Sequence, residues 1–341
     1  MMYATTAKIA PTQPTLQREN SRNSTERQRE IFRRDVIKGL CSAEKKIPSK
    51  YFYDTAGDRI FQQIMGSPDY YLTRCESEIF RMHSSSLVRG LANDRSAVDL
   101  YELGSGDGVK TVQLLKKLNS RGHRTVYRPM DISNNTLAAS SKMMRGKIPD
   151  LEIQPMLGDY FELLDQMENS NGKRIFLFLG SNIGNLSRSE AVLLLRKIAL
   201  RMSVEDRLLV GFDLKKDPKH IRRAYDDRAG VTRQFNFNLL HRMNMELGAD
   251  FHLDQFSHEP IYDPCEGRAI SYLVSKQEQS VNIPGAAIPI HFKAWEAILT
   301  EVSHKFDEQS IQILAHDAGL KTIETFKDKK DYFADVLFAL K

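Results

Sequence analysis

The chain has 341 residues, 41% hydrophobic and 27% charged, which is enough apolar material for one large globular unit or two linked ones. No run of eighteen apolar residues occurs and the opening residues lack a basic-then-apolar secretory pattern, so the sequence reads as a soluble, cytoplasmic protein that does not enter membranes. The net charge of +5 resides in the first 50 residues, with eleven Lys and Arg against five Asp and Glu; the nearly neutral remainder argues against a nucleic-acid channel.

Residues 1–25 are rich in Thr, Ser, Asn, Gln and Pro and read as a disordered tail, because they hold too few large apolar side chains to offset ordering. From Glu26 to Leu40, the side chains Ile31, Phe32, Val36, Ile37 and Leu40 line one face of a helix. Helices follow over 58–65 and 73–91. A strand and helix alternation then begins, with strands over 98–103, 125–132, 151–156, 174–179 and 208–212 and helices over 109–118, 135–144, 160–167 and 188–202. Near-continuous apolar strands between amphipathic helices predict a parallel sheet covered on both faces. After Asp213 the alternation gives way to helices at 218–227 and 233–247 and strands near 269–275, 280–283 and 288–292, which read as an inserted lobe. A helix at 308–318 and strands at 321–326 and 332–340 return the chain to the sheet. Cys41, Cys75 and Cys265 are odd in number, far apart and without ligand spacing, so they read as reduced thiols and no metal site is expected.

The turn Gly104-Ser105-Gly106-Asp107-Gly108 ends the first strand of the alternation and opens the next helix, where small residues let backbone approach a nucleotide. Two nucleotide classes use such a turn, and both place an acid after the second strand, a position that Asp131 fills. The glycines lack the third spacing of the dinucleotide fingerprint and the chain ends in a strand pair, so it resembles the seven-stranded class I methyltransferases, a doubly wound, Rossmann-like α/β fold. That resemblance implies S-adenosylmethionine as cofactor, with Asp131 on the ribose hydroxyls and Asp159 near the adenine.

Longer blocks narrow the resemblance. Lys50–Asp54, Pro68–Arg74, Leu103–Gly106, Phe178–Asn185, Asp213–Asp217, Ala224–Asp227, Glu246–Phe251 and Thr300–Phe306 resemble, in order, the histidine-specific Nα-methyltransferases of ergothioneine biosynthesis. The family implies cofactor contacts at Gly104, Lys110, Asp131, Asp159 and Tyr160. It implies contacts to the amino acid's carboxylate and amine from Tyr70, Asn185 and Tyr225, with Gly180 in the same block, and contacts to an imidazole from Glu301 and Ser303. Tyr53 matches a tyrosine beside the methylated nitrogen, and Tyr53 and Asn185 are the expected catalytic pair. Independently of the family, a carboxylate such as Glu301 accepts from an imidazole N–H, which a phenyl ring cannot offer; its other reading is an exposed sheet carboxylate pairing with Lys305.

The implied organisation is a methyltransferase core at 75–215 and 306–341 and an α+β substrate lobe at 26–74 and 216–305, acting as a monomer on a small amino acid. Departures from the family pattern are Asn182, Tyr160 and the block Glu266–Ser271 beside the expected side-chain pocket. A more distant resemblance to fungal enzymes that N-methylate a prenylated tryptophan leaves another aromatic amino acid as the alternative substrate.

Overall fold

The computed structural model describes residues 13–92, 97–167 and 172–341. Helix α1 (Gln13–Leu40) buries Phe32, Val36 and Leu40, and is followed by a 3-10 turn at Ser49–Phe52, then α2 (Thr55–Gly66) and α3 (Leu72–Leu91). The alternation is built from β1 (Val98–Leu103), α4 (Val109–Ser120), β2 (Thr125–Asp131), α5 (Asn134–Lys147), β3 (Glu152–Ile153), β4 (Met156–Leu157), α6 (Tyr160–Gln166), β5 (Lys173–Phe178), α7 (Arg188–Ala199) and β6 (Arg207–Asp213). Then come α8 (Pro218–Tyr225), α9 (Val231–Leu247) and the strands β7 (Phe256–Asp263), β8 (Arg268–Ser275), β9 (Gln279–Val281), β10 (Ile290–Phe292) and β11 (Ala297–His304). The chain closes with α10 (Glu308–Asp317), β12 (Leu320–Lys327) and β13 (Phe333–Leu340).

The large sheet has the order β12-β13-β6-β5-β1-β2-β3, with β4 also paired to β2. Its strands are parallel except β13, which runs antiparallel to both β6 and β12. This is the class I methyltransferase sheet that the sequence implies. Strand order reverses between β1 and β5, so the crevice beyond their carboxyl ends is where such a sheet takes a ligand. Ile175 to Phe178 of β5 and Phe333 to Ala339 of β13 are buried throughout, as expected where helices cover both faces. One apolar cluster packs α3 and α4 on one face, and a second packs α6, α7 and α10 on the other.

A third cluster lies outside the sheet and joins Phe32, Val36 and Leu40 to Phe52, Phe235, Leu239 and Phe292. Here β11, β8 and β7 form an antiparallel sheet and β10 pairs with β9. The sequence pattern reveals neither β7 nor β11, and it joins β3 and β4 into one strand. Pro260 and the polar residues of β7 read as loop, and a bulge interrupts the period-two pattern of β11. Helix α1 begins at Gln13, before the expected Glu26; residues 1–12 of the expected tail lie outside the described residues. Among the described residues no helix is long and apolar enough to cross a membrane, and no cluster of His, Cys, Asp and Glu is arranged to hold a metal.

Candidate active site

The carboxyl ends of β1, β2 and β5 supply one wall. Gly104, Gly106 and Gly108 all adopt positive φ (66°, 52° and 67°), which an L side chain resists, and a Cβ at Gly106 would meet nothing within 4 Å. The backbone at Gly106 therefore borders open space. Asp131, the last residue of β2, accepts from the Gly106 N–H at 3.2 Å and the Ser133 N–H at 2.9 Å. Burial lifts its carboxyl above the ordinary value even against those two bonds. Asp159 caps α6, accepting from the Phe161 N–H at 2.8 Å, and presents Tyr160, whose ring stands edge-on to Phe178 at 5.6 Å. Lys110 is half-buried on the first turn of α4, paired with the fully buried Glu76, whose other oxygen takes the Gly180 N–H at 2.7 Å. Gly104 and Gly180 both border Asn182, so the turns after β1 and β5 meet in one place.

The opposite wall begins at the 3-10 turn. Asp54 caps α2 through the Gly57 N–H at 2.6 Å and accepts from Asn238 of α9 at 2.8 Å, while Arg242 donates to the Tyr51 carbonyl at 2.9 Å. These bonds, with Phe52 stacked on Phe235 at 4.4 Å, fix the chain on both sides of Tyr53. The Tyr53 ring stands edge-on to Phe61 and Phe235 at 5.6 and 5.8 Å. Its hydroxyl is held neutral above its ordinary range by burial first, then by Glu301, Asp131, Asp58 and Tyr160, so it looks onto both walls. The turn carrying Tyr70 is held by Arg74, which donates to the carbonyls of Ser67 and Pro68 at 2.7 Å each. Helix α2 is tied to the cofactor side because Asp58 accepts from Ser133 at 2.7 Å and Thr136 at 3.1 Å.

Strand β11 supplies the floor. Its register shifts between Leu299 and Glu301, where the Thr300 hydroxyl reaches Asn236 Oδ1 at 2.6 Å and the Ser271 carbonyl at 2.9 Å. This bulge sets Glu301 opposite Ser271 and Ser303 opposite Ala269, so both face the same side. Glu301 keeps partial access to solvent yet is surrounded by protein; desolvation pushes its carboxyl up to about 7, against the opposing attraction of Lys305. Lys305 does not pair with it. Its ammonium, wholly buried, lies 2.7 Å from the Tyr225 hydroxyl, 2.8 Å from Ser303 Oγ and 2.8 Å from Asp213. Asp213 ends β6 and also accepts from Tyr71 at 2.9 Å and from Lys216; burial would raise its carboxyl, but Lys305 and Lys216 hold it below the ordinary value. Asn185 ends a 3-10 turn after β5 that is pressed against β11, where a Cβ at Gly184 would stand 2.8 Å from the His304 carbonyl.

Most of the expected residues fall into two groups, with Asn185 on the turn after β5 outside both. Gly104, Gly180, Lys110, Asp131, Asp159 and Tyr160 border the strand ends, and Tyr53, Tyr70, Tyr225, Glu301 and Ser303 face one another across the lobe. Burial first, then Tyr225, Tyr53 and Glu301, raise the Tyr70 hydroxyl, and Glu301 adds to the rise at Tyr53 and Tyr225, so the four lie near one another. Sequence reasoning assigned no role to Asp213, Lys305 or Glu76. A charge at Glu76 between Cys75 and Ile79 on the apolar face of α3 was a readable signal, as was Asp213 at the end of an apolar strand.

Residues 32–340 match the family model described as histidine-specific methyltransferase, SAM-dependent. The histidine N-alpha-methyltransferase of Mycobacterium tuberculosis (strain CDC 1551 / Oshkosh) is 39% identical over 302 residues, spanning 89% of this chain and 92% of that protein. The histidine N-alpha-methyltransferase of Mycolicibacterium smegmatis (strain ATCC 700084 / mc(2)155) is 37% identical, over 88% of this chain and 92% of the relative. Ergothioneine biosynthesis protein 1 of Schizosaccharomyces pombe (strain 972 / ATCC 24843) is 28% identical over 83% of this chain, which spans 37% of that longer protein.

Proposed function

The chain belongs to the S-adenosylmethionine-dependent, histidine-specific methyltransferases, and from that membership we propose that it methylates the α-amine of L-histidine three times to give hercynine in ergothioneine biosynthesis. The observation that carries this reading is the set of polar groups without a partner among the described residues, the Tyr53 and Tyr70 hydroxyls and the Glu301 carboxylate, which face one space beside Asp131. All three residues are half-buried, so their free polar atoms stay open to an incoming ligand, and two hydroxyls beside a carboxylate suit a polar one.

S-adenosylmethionine suits the other wall: the open backbone at Gly106 gives it room and the desolvated Asp131 gives its ribose an acceptor. When bound it supplies an electrophilic methyl on a sulfonium and leaves as S-adenosylhomocysteine. We assign Gly104, Lys110, Asp131, Asp159 and Tyr160 to holding it. Tyr70, Asn185 and Tyr225, with the Gly180 turn behind them, orient the amino acid's carboxylate and amine through neutral groups that add no charge beside the sulfonium. Glu301 and Ser303 hold the ring. Tyr53 stands beside the reacting nitrogen; with its hydroxyl held neutral it positions the amine, and the protons lost between methylations leave through water. Rate then comes mainly from alignment, for which roughly 7–11 kcal/mol is available to well-oriented reactants. We assign the substrate lobe to residues 26–74 and 216–305, and the core to 75–215 and 306–341.

The experiment is incubation with S-adenosylmethionine and each of the twenty amino acids, with mass detection of singly, doubly and triply methylated products. Histidine is expected to accumulate the triply methylated form. Faster turnover of tryptophan, or no S-adenosylhomocysteine release with histidine, would sink this assignment.

A further inference from the structure

Lys305 has three hydrogen-bonding partners and no access to solvent: Tyr225, Ser303 and Asp213. An ammonium carries three donors and no acceptor. All three N–H groups are therefore used, and the Tyr225 and Ser303 oxygens both act as acceptors toward it. The proton left on each hydroxyl points away from the ammonium. Lys305 cannot easily turn, since its backbone N–H donates to the Gly267 carbonyl at 2.7 Å and Asp213 is itself held by Tyr71 and Lys216. Ser303 and Tyr225 also hydrogen-bond to each other, so in the free protein one of these protons is shared between them, and a substrate offering acceptors to both draws the two protons into the pocket.

We infer that Lys305 is a positioning residue that sets the hydrogen-bond polarity of the substrate pocket: Tyr225 and Ser303 meet the substrate as donors, so the histidine ring binds neutral, with its bare nitrogen toward Ser303 and its N–H toward Glu301. This rests on the histidine reading above. A carboxylate alone accepts from imidazole and imidazolium alike and favours the charged form. At the other end of the ring the Ser303 oxygen already takes the Lys305 ammonium, so a charged ring would bring a second cation to that same oxygen, whereas a bare ring nitrogen takes the Ser303 proton; the neutral form is favoured. Tyr225, as a donor, suits the substrate's carboxylate for the same reason.

The groups facing Glu301 are the Tyr53, Tyr70 and Tyr225 hydroxyls and Lys305, with Asp213 behind Lys305 and Asp131 and Asp58 beyond Tyr53. Burial keeps the three tyrosines neutral, and Lys305 and Lys216 keep Asp213 ionised. Glu301, near pH 7, and the free substrate ring, near about pH 6.5, are thus the pocket groups that change charge on binding.

The test is the affinity of histidine for the protein loaded with S-adenosylhomocysteine, measured by calorimetry from pH 7.5 to 5.5. In the wild-type protein both the ring and Glu301 must lose a proton, so the dissociation constant should rise by a factor approaching about 100 per pH unit at the acid end. In Ser303→Ala and Lys305→Met the imidazolium becomes acceptable, and the rise should relax to about tenfold per unit. Ser303→Ala keeps the Lys305–Asp213 pair, so it carries the comparison if Lys305→Met fails to fold. A wild-type rise of only about tenfold per unit, or the same dependence in wild type and Ser303→Ala, overturns the inference. Absence of histidine binding to the wild type at pH 7.5 overturns the substrate assignment, and this inference with it.

Discussion

The two walls of the pocket handle their polar groups differently. On the cofactor side the chain satisfies its own charges: Asp131 takes two backbone N–H groups, Asp159 caps α6, and Lys110 pairs with Glu76. On the substrate side Tyr53, Tyr70 and Glu301 have no hydrogen-bond partner among the described residues, and Tyr225 and Ser303 are tied to each other and, from behind, to Lys305. The first wall follows from strand ends and tight turns, which must bond their backbone whatever the ligand. The second leaves polar groups waiting, at a cost in the free protein that a matching ligand removes. Discrimination belongs to that second wall, because a site built to hydrogen-bond a group rejects ligands that lack it far more strongly than an apolar pocket rejects a wrong size.

The largest expected effect comes from removing the anchor behind the substrate wall. Asp213→Asn strands the fully buried Lys305 ammonium without its counter-charge. Breaking a buried pair in this way costs about 3–5 kcal/mol, and the melting temperature should fall by roughly 5–10 °C. A melting temperature within about 1 °C of wild type, by calorimetry, would mean that the network is not holding the lobe to β6.

Next in size is the substrate wall itself. Glu301→Ala removes one partner of a charge-assisted bond, about 1.5–3 kcal/mol, so kcat/KM for histidine should fall up to about 100-fold, mostly through KM because the ring is remote from the reacting nitrogen. Turnover of tryptophan should fall much less. An unchanged ratio of the two kcat/KM values would show that Glu301 does not read the side chain. The matching change on the cofactor wall, Asp131→Ala, should weaken S-adenosylmethionine by about tenfold and leave histidine affinity nearly unaltered. Equal weakening of both ligands would erase the division between the walls.

The walls also differ in how far they can be read from the amino-acid sequence. Residues such as Gly104 and Asp131 sit at the ends of apolar strands whose period and turn chemistry are local, so the sequence pattern alone puts them at the sheet's edge. Glu301 and Ser303 are reached only through the family resemblance, because β11 gives no clean alternation: the bulge at Thr300 shifts the register, and the polar residues facing the pocket make the strand look like loop. Lys305 is out of reach for a different reason. Its partners lie at the end of β6 and on α8, 92 and 80 positions away, and nothing local in Ser303-His304-Lys305 says that the ammonium turns inward.

The smallest effect tests whether the waiting carboxylate is a cost at all. Glu301 has its carboxyl raised from an ordinary 4.5 to about 7 in the folded protein. The folded state therefore binds that proton more tightly than the unfolded state does, and stability is lost as pH rises from about 4.5 through 7. Glu301→Gln cannot ionise and escapes this loss. Without ligands, the variant and the wild type should melt together near about pH 4.5, and the variant should melt about 1–3 °C higher at about pH 8. Adding histidine and S-adenosylhomocysteine should reverse the order at that higher pH, since the wild-type carboxylate then gains the ring N–H it lacked. A difference that is the same at both pH values would trace to packing rather than charge, and the substrate wall would then be no more strained than the wall across from it.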